Sequence, residues 1–354
     1  MFVAACIAAV LAQDPGQLAR DYALAVAAVN KAHADRPVAK DEGELGKQLP
    51  ASAAKLVAEL VRCGDAPEVR DALATAAAAA LDLDRLDDFA ALRDRVVQLD
   101  GTFANDIGIA LSRLRFLAIA TGGVEPECLS RIADVFDLVL DAYADVFGLR
   151  NFSKVPGKKL RLRIHLEAKI TRPPHFAPQF PFHSEIDFPV IDGKAFASPT
   201  KEGQFLFYGL CHELGHVIAM WGDRQNEEDR HAWAHYTGVV IVEHLAKAKK
   251  DSPALDGLRD SRWRTLDFER KRLEAAKTKP GGKDVDGVLA RLLALHDAVG
   301  PAAIGEALDA LDTSKKHELV NRVRYYRMAD FQKALLATKA GKAKKKAIDA
   351  AFAE

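Results

Sequence analysis

The chain carries no excess charge of either sign: its 50 Lys and Arg are matched by 50 Asp and Glu across 354 residues. With no net field to steer a polyanion or an anionic bilayer toward its surface, nucleic acid is not expected as a partner. Lysines do crowd between Lys339 and Lys346, but in a short Ala/Lys stretch that reads as a solvated helix end. Cysteine is scarce as well, and four residues are too few for a densely cross-linked small scaffold. The apolar stretch at the N-terminus, MFVAACIAAVLA, is far too short to cross a bilayer, so no integral membrane span is expected. What the chain does have is a 49% share of hydrophobic residues, enough to bury a sizeable core in roughly two or three domains.

The apolar start is followed at once by Gln13-Asp14-Pro15-Gly16, and Val10-Leu11-Ala12 closes it with small residues. It resembles an export signal cut after Ala12, although no Lys or Arg precedes the apolar core. Val3-Ala4-Ala5-Cys6 loosely resembles a lipobox, but stands too close to Met1 unless the true start lies upstream. Secretion or a place in the cell envelope is the expectation, with a buried first helix in a cytoplasmic protein as the alternative. Cys6 would leave with the leader, and the odd set Cys63, Cys128 and Cys211 points to no disulfide framework.

From Gln17 to about Gly148, apolar residues recur at three- and four-residue spacing through alanine-rich stretches such as ALATAAAAALDL. Breaks near Pro37, Pro50, Pro67, Gly101 and Gly122-Gly123 cut this region into helices of ordinary length, packed as a bundle or short solenoid. The pattern then changes. Leu160 to Leu166 alternates apolar and polar, as a half-buried strand does. TRPPHFAPQFPF reads as a surface loop, and HSEIDFPVI as a second short strand whose proline suits an edge. From Gln204 the pattern is helical to the end, apart from loops at Gly222 and Pro280-Gly281-Gly282. The expected fold is mainly α with a small β-sheet (α+β). Residues 13–148 would form a helical N-terminal domain, 149–250 the functional core and 251–354 a C-terminal helical region.

The stretch LFYGLCHELGHVIAMWGD places polar groups inside an apolar helix. His212 and His216 stand four residues apart, so both imidazoles project from one helix face and can reach a single ion. Leu210, Leu214, Val217 and Ile218 cover the rest of the helix and would seat it against a core. Neutral imidazoles suit Zn2+, and a site with three protein ligands keeps one position open for water. The ion acidifies that water, and Glu213, beside the first histidine, can take its proton as it attacks a carbonyl.

HELGH, the strand candidate upstream of it and the helix NEEDRHAWAHYTG downstream together resemble the zincin metallopeptidases, and within them the gluzincin or thermolysin-like group. The resemblance covers roughly residues 146–250. It implies a zincin-like catalytic core in which the active-site helix packs under a small sheet, flanked here by helical regions. It further implies Zn2+ as cofactor, a peptide or protein as substrate and a third ligand from the following helix. Family members often carry EGxAxY around that ligand. HAWAHY matches its alanine and tyrosine at Ala234 and Tyr236, which puts His231 rather than a glutamate at the ligand position. Glu228, one turn earlier, is the rival, although Glu227, Glu228 and Asp229 are also explained as first-turn acids behind an Asn226 cap. Glu228 or Asp229 could equally orient a ligating histidine. His235 and Tyr236 are candidates for polarising the scissile carbonyl.

Tyr325 and Tyr326 could approach from the C-terminal helices, whereas His296 and Cys211 read as packing residues. LLALHDAVGPAAIGEALDAL looks like the helical wall of a gluzincin cleft. The competing class is a catalytically silent zinc-site protein whose helical N-terminal region binds a partner; Glu213 argues against it, because holding a metal does not require that residue.

Overall fold

The computed structural model describes residues 14–34, 45–150, 152, 159–166, 175–176, 185–190, 201–218, 227–248, 265–280, 282–312, 318–320, 323–325 and 327–353. The expected leader lies outside the described residues. The protein is mainly helical with a small mixed β-sheet, and the chain divides into two compact units: Met1–Val124 with Val155–Lys159, and Glu125–Lys154 with Leu160–Glu354.

The first unit holds α1 (Pro15–Ala34), α2 (Ala51–Val61), α3 (Pro67–Asp82), α4 (Leu86–Leu99) and the single turn α5 (Ala104–Ile107). The alanines of α3 explain the packing. Ala76, Ala77 and Ala80 are fully buried beside Leu73, and with no side chain beyond Cβ they let α1 and α4 close on α3 from either side. A polar link through this core is a hydrogen bond of 2.9 Å donated by the Tyr22 hydroxyl to Asp88, whose carboxylate also holds Arg85.

The helical expectation for this region misses an antiparallel hairpin, β1 (Ile109–Ser112) and β2 (Phe116–Thr121). Phe116 to Ala120 are all buried, and a short apolar run buried on both faces has no period that separates strand from helix.

The second unit begins with α6 (Pro126–Phe147), which ends on Gly148 in the left-handed conformation, φ +72°. This helix belongs with the second unit because its apolar face packs against helices that come later in the chain. Three strands follow: β3 (Leu160–Leu166), β4 (His175–Phe176) and β5 (Glu185–Val190). β3 runs parallel to β5, and β4 pairs antiparallel with the other side of β5. β5 is therefore an inner strand, not the expected edge. Its proline is tolerated because β4 reaches only Ile186 and Asp187, so Pro189 lies beyond that ladder. Leu160, Leu162 and Ile164 are buried on one face of the sheet. The polar positions of β3 face acids of β5 rather than open water: Arg163 grips Glu185 through two bonds of 2.9 and 3.1 Å, and His165 Nδ1 stands 3.0 Å from Asp187.

Next come α7 (Lys201–Ile218), α8 (Glu227–Ala248), α9 (Leu266–Ala275), α10 (Val285–Val299) and α11 (Pro301–Asp312). A hairpin, β6 (Glu318–Val320) and β7 (Val323–Tyr325), interrupts the helical run expected here; α12 (Met328–Ala337), α13 (Lys339–Ala343) and α14 (Lys345–Phe352) complete the chain. α8 is the central element. Nearly every residue from Ala232 to Val242 is buried, because α6, α7 and α10 all pack on it. No single described helix is long and apolar enough to cross a membrane. Cys63, Cys128 and Cys211 form no disulfide.

Candidate metal centre

α7 and α8 meet through glycine. A Cβ on Gly215 would stand 2.7 Å from the Ala234 Cα, and one on Gly238 would stand 3.3 Å from the His212 backbone. With hydrogen at both positions the two backbones approach closely along the stretch that carries the histidines. The outer side of α7 is held by α6, whose Tyr143 hydroxyl donates to the Cys211 carbonyl at 2.8 Å. Cys211 itself is fully buried, and burial pushes its thiol well above the ordinary range, consistent with a small core residue.

This crossing brings His212 and His216 of α7 against His231 of α8. One ligand-capable atom from each lies within 4.8 Å of the others, a group that could hold a metal ion. The ring centroids are 4.9 Å apart for His212 and His216, 5.0 Å for His216 and His231, and 5.6 Å for His212 and His231. His212 and His216 are partly buried, whereas His231, in the first turns of α8, is exposed. The side chain of Glu228 lies outside the described residues, as do those of Glu227, Asp229 and Tyr325 and the whole of Asn226 and Tyr326. Glu213 is buried on α7, one position and hence about 100° round the helix from His212.

The two residues expected near the reacting carbonyl part company. His235, one turn after His231, stays beside the group, its ring 6.5 Å from that of His212. Tyr236 is fully buried against Phe147 and Trp233, and its hydroxyl lies 3.0 Å from Nδ1 of His296. Burial pushes the Tyr236 phenol well above its ordinary range and lowers the partly buried His296.

Further described residues extend the surroundings. Tyr208, one turn before His212, places its hydroxyl 2.5 Å from His235 Nδ1. On the other side of that ring, His235 Nε2 is 3.0 Å from Glu269 of α9. The second Glu269 oxygen takes Arg272 at 2.8 Å, and Arg272 in turn grips Asp286 through bonds of 3.0 and 2.9 Å. Glu269 is 2% exposed. Burial alone would raise its carboxyl, but the hydrogen bonds from His235 and Arg272 outweigh that and bring it down to about 2. Tyr208 had a legible signal, since it shares the four-residue spacing of the histidines; Glu269 had none.

No protein-family model matches the chain, and neither a curated protein nor a solved structure matches it.

Proposed function

We propose that the protein is a zinc-dependent metallopeptidase of the zincin type that hydrolyses peptide bonds. The observation that carries the reading is the convergence of His212, His216 and His231, with Glu213 set between the two histidines of one helix. Tetrahedral zinc bonded to nitrogen at about 2.0–2.1 Å needs its nitrogens about 3.3 Å apart, which small torsional adjustments of three imidazoles grouped within 4.8 Å supply. Three neutral nitrogen donors suit zinc better than the oxygen-seeking calcium or magnesium. Zinc held there supplies a Lewis acid and an acidified water for attack on a carbonyl.

Glu213 serves as general base, taking the proton from the attacking water and returning it to the leaving amine. The buried apolar sides of α7 and α8 hold the three imidazoles in place, so little ordering remains to be done on binding. With a histidine as third ligand the chain departs from the gluzincin pattern of a glutamate, and the site keeps the full charge of the ion. We further propose that the chain is exported, on the strength of its apolar start.

Metal analysis of the purified protein, paired with digestion of a peptide library by the parent and by Glu213→Gln, tests the reading. About one zinc per chain and cleavage lost in the variant are expected. A parent protein that holds zinc and cleaves no peptide overturns it in favour of a silent zinc-site protein.

A further inference from the structure

Five lysines, Lys339, Lys342, Lys344, Lys345 and Lys346, stand within eight residues at the junction of α13 and α14, and no acid interrupts them. All five are exposed. Lys345 pairs with Asp349 one turn on, but among the described residues the other four have no acidic partner. Like charges this close on helices repel one another, so the crowding does not help the fold.

A frayed chain end would let such charges spread apart, yet this segment is fixed on both sides. Before it, the buried Thr338 hydroxyl accepts from the Gly341 amide at 2.9 Å, and a Cβ on Gly341 would stand 1.8 Å from the Leu335 carbonyl oxygen. Beyond it, Ile348 and Ala351 are buried on α14, which packs on α10 and α12. Arg291 of α10 donates to the Ala351 carbonyl at 3.0 Å and lies over the Phe352 ring. The lysines are therefore presented together. At about 1.5 Å of rise per residue the stretch covers about 12 Å, close to the screening length of about 8 Å at physiological salt. Its charges act as one at short range, although the whole chain is neutral.

The residue types select the partner. Lysine is a mobile point charge without the fork by which arginine grips one phosphate or carboxylate, and no arginine lies between 338 and 353. No aromatic ring stands among the lysines for a base to stack on. No large exposed hydrophobic is there to enter acyl chains, and the apolar face of α14 is already packed inside the protein. Such a surface suits an array of laterally mobile anionic headgroups.

We infer that the junction of α13 and α14 is a peripheral docking surface for a bilayer rich in anionic lipid, held by charge and without insertion. Docking brings the second unit, which carries the histidine group, to the membrane surface. It requires neither metal nor hydrolysis, so it stands apart from the metallopeptidase reading.

The full-length protein is sedimented with vesicles of phosphatidylcholine alone or mixed with phosphatidylglycerol. Binding to the mixed vesicles only is expected, with release at about 1 M salt, where the screening length falls to about 3 Å. Each lysine at an anionic surface contributes about fivefold in affinity, so the quadruple variant Lys339→Gln, Lys342→Gln, Lys344→Gln, Lys346→Gln should bind roughly 600-fold more weakly. Glutamine is a comparable helix former, and the melting temperature should stay at the parent value. Removing the same charge from the exposed Lys31, Lys55, Lys277 and Lys279 separates the local surface from net charge, and should cost less than about fivefold. Equal losses in the two quadruple variants, or equal binding to both kinds of vesicle, overturn the inference. Tighter binding to a DNA duplex than to mixed vesicles at matched salt also overturns it, by making the surface one for a soluble polyanion.

Discussion

Gly215 of α7 faces Ala234 of α8 so closely that a Cβ on the glycine would stand 2.7 Å from the Ala234 Cα. The Thr237 hydroxyl stands closer still and could rotate, but the Ala234 backbone cannot. Alanine is ordinarily the better helix former by about 1 kcal/mol, so Gly215→Ala should stabilise an isolated helix. Here it is expected to destabilise the protein by about 1–3 kcal/mol through overpacking and to weaken metal binding by separating His231 from its partners. Thermal melts and a zinc titration check both; an unchanged Tm with full metal affinity would refute the close-packed crossing.

Replacing His212, His216 or His231 singly by alanine removes one of the grouped donors, and each variant is expected to purify without metal. Glu228→Ala, acting at most on the orientation of a ligand, should cost about 10–100-fold in zinc affinity. Zinc titrations of the four variants decide the assignment: metal lost from Glu228→Ala and kept by His231→Ala would make the glutamate the third ligand.

Glu213→Gln preserves the size of a buried side chain while abolishing its basicity. The expected outcome is unaltered zinc content and melting temperature with hydrolysis reduced about 10²–10⁴-fold, the usual worth of a general base. Steady-state rates on a cleaved library peptide measure it, and parent-like turnover would remove Glu213 from the mechanism.

Glu269 titrates near 2 in the folded protein against an ordinary value of 4.5, so folding favours its ionised form. The stability this confers is complete above about pH 4.5 and is lost as the pH falls toward 2. The shift corresponds to on the order of 3 kcal/mol. Urea denaturation across that window should show a shallower acid decline in Glu269→Gln than in the parent; parallel curves would mean that the His235 and Arg272 bonds contribute nothing.

Exported protein is expected to begin at Gln13, because Val10-Leu11-Ala12 presents small residues to a signal peptidase. N-terminal sequencing of material from outside the cytoplasm reads this directly, and an intact Met1 on cytoplasmic protein would reject it.

The sequence by itself determined the mainly helical fold with a small sheet, since alanine-rich periodicity and the alternation of Leu160 to Leu166 are local patterns. It also determined that His212 and His216 share a face, because four residues make about one helical turn. The hairpins Ile109–Thr121 and Glu318–Tyr325 stayed hidden, because short strands carry too few periods to declare themselves. The inner place of β5 depended on a two-residue partner, His175–Phe176, inside what reads as a loop.

Only the tertiary structure decided how α7 and α8 cross. That crossing makes His231 a neighbour of His212, directs Tyr236 to His296 and places Glu269, remote in the chain, behind His235. The crossing is set by two absent side chains, Gly215 and Gly238, whose effect exists only where another backbone comes within contact distance. Spacing along one helix is a property of its own residues, whereas the approach of two helices is a property of every surface packed around them.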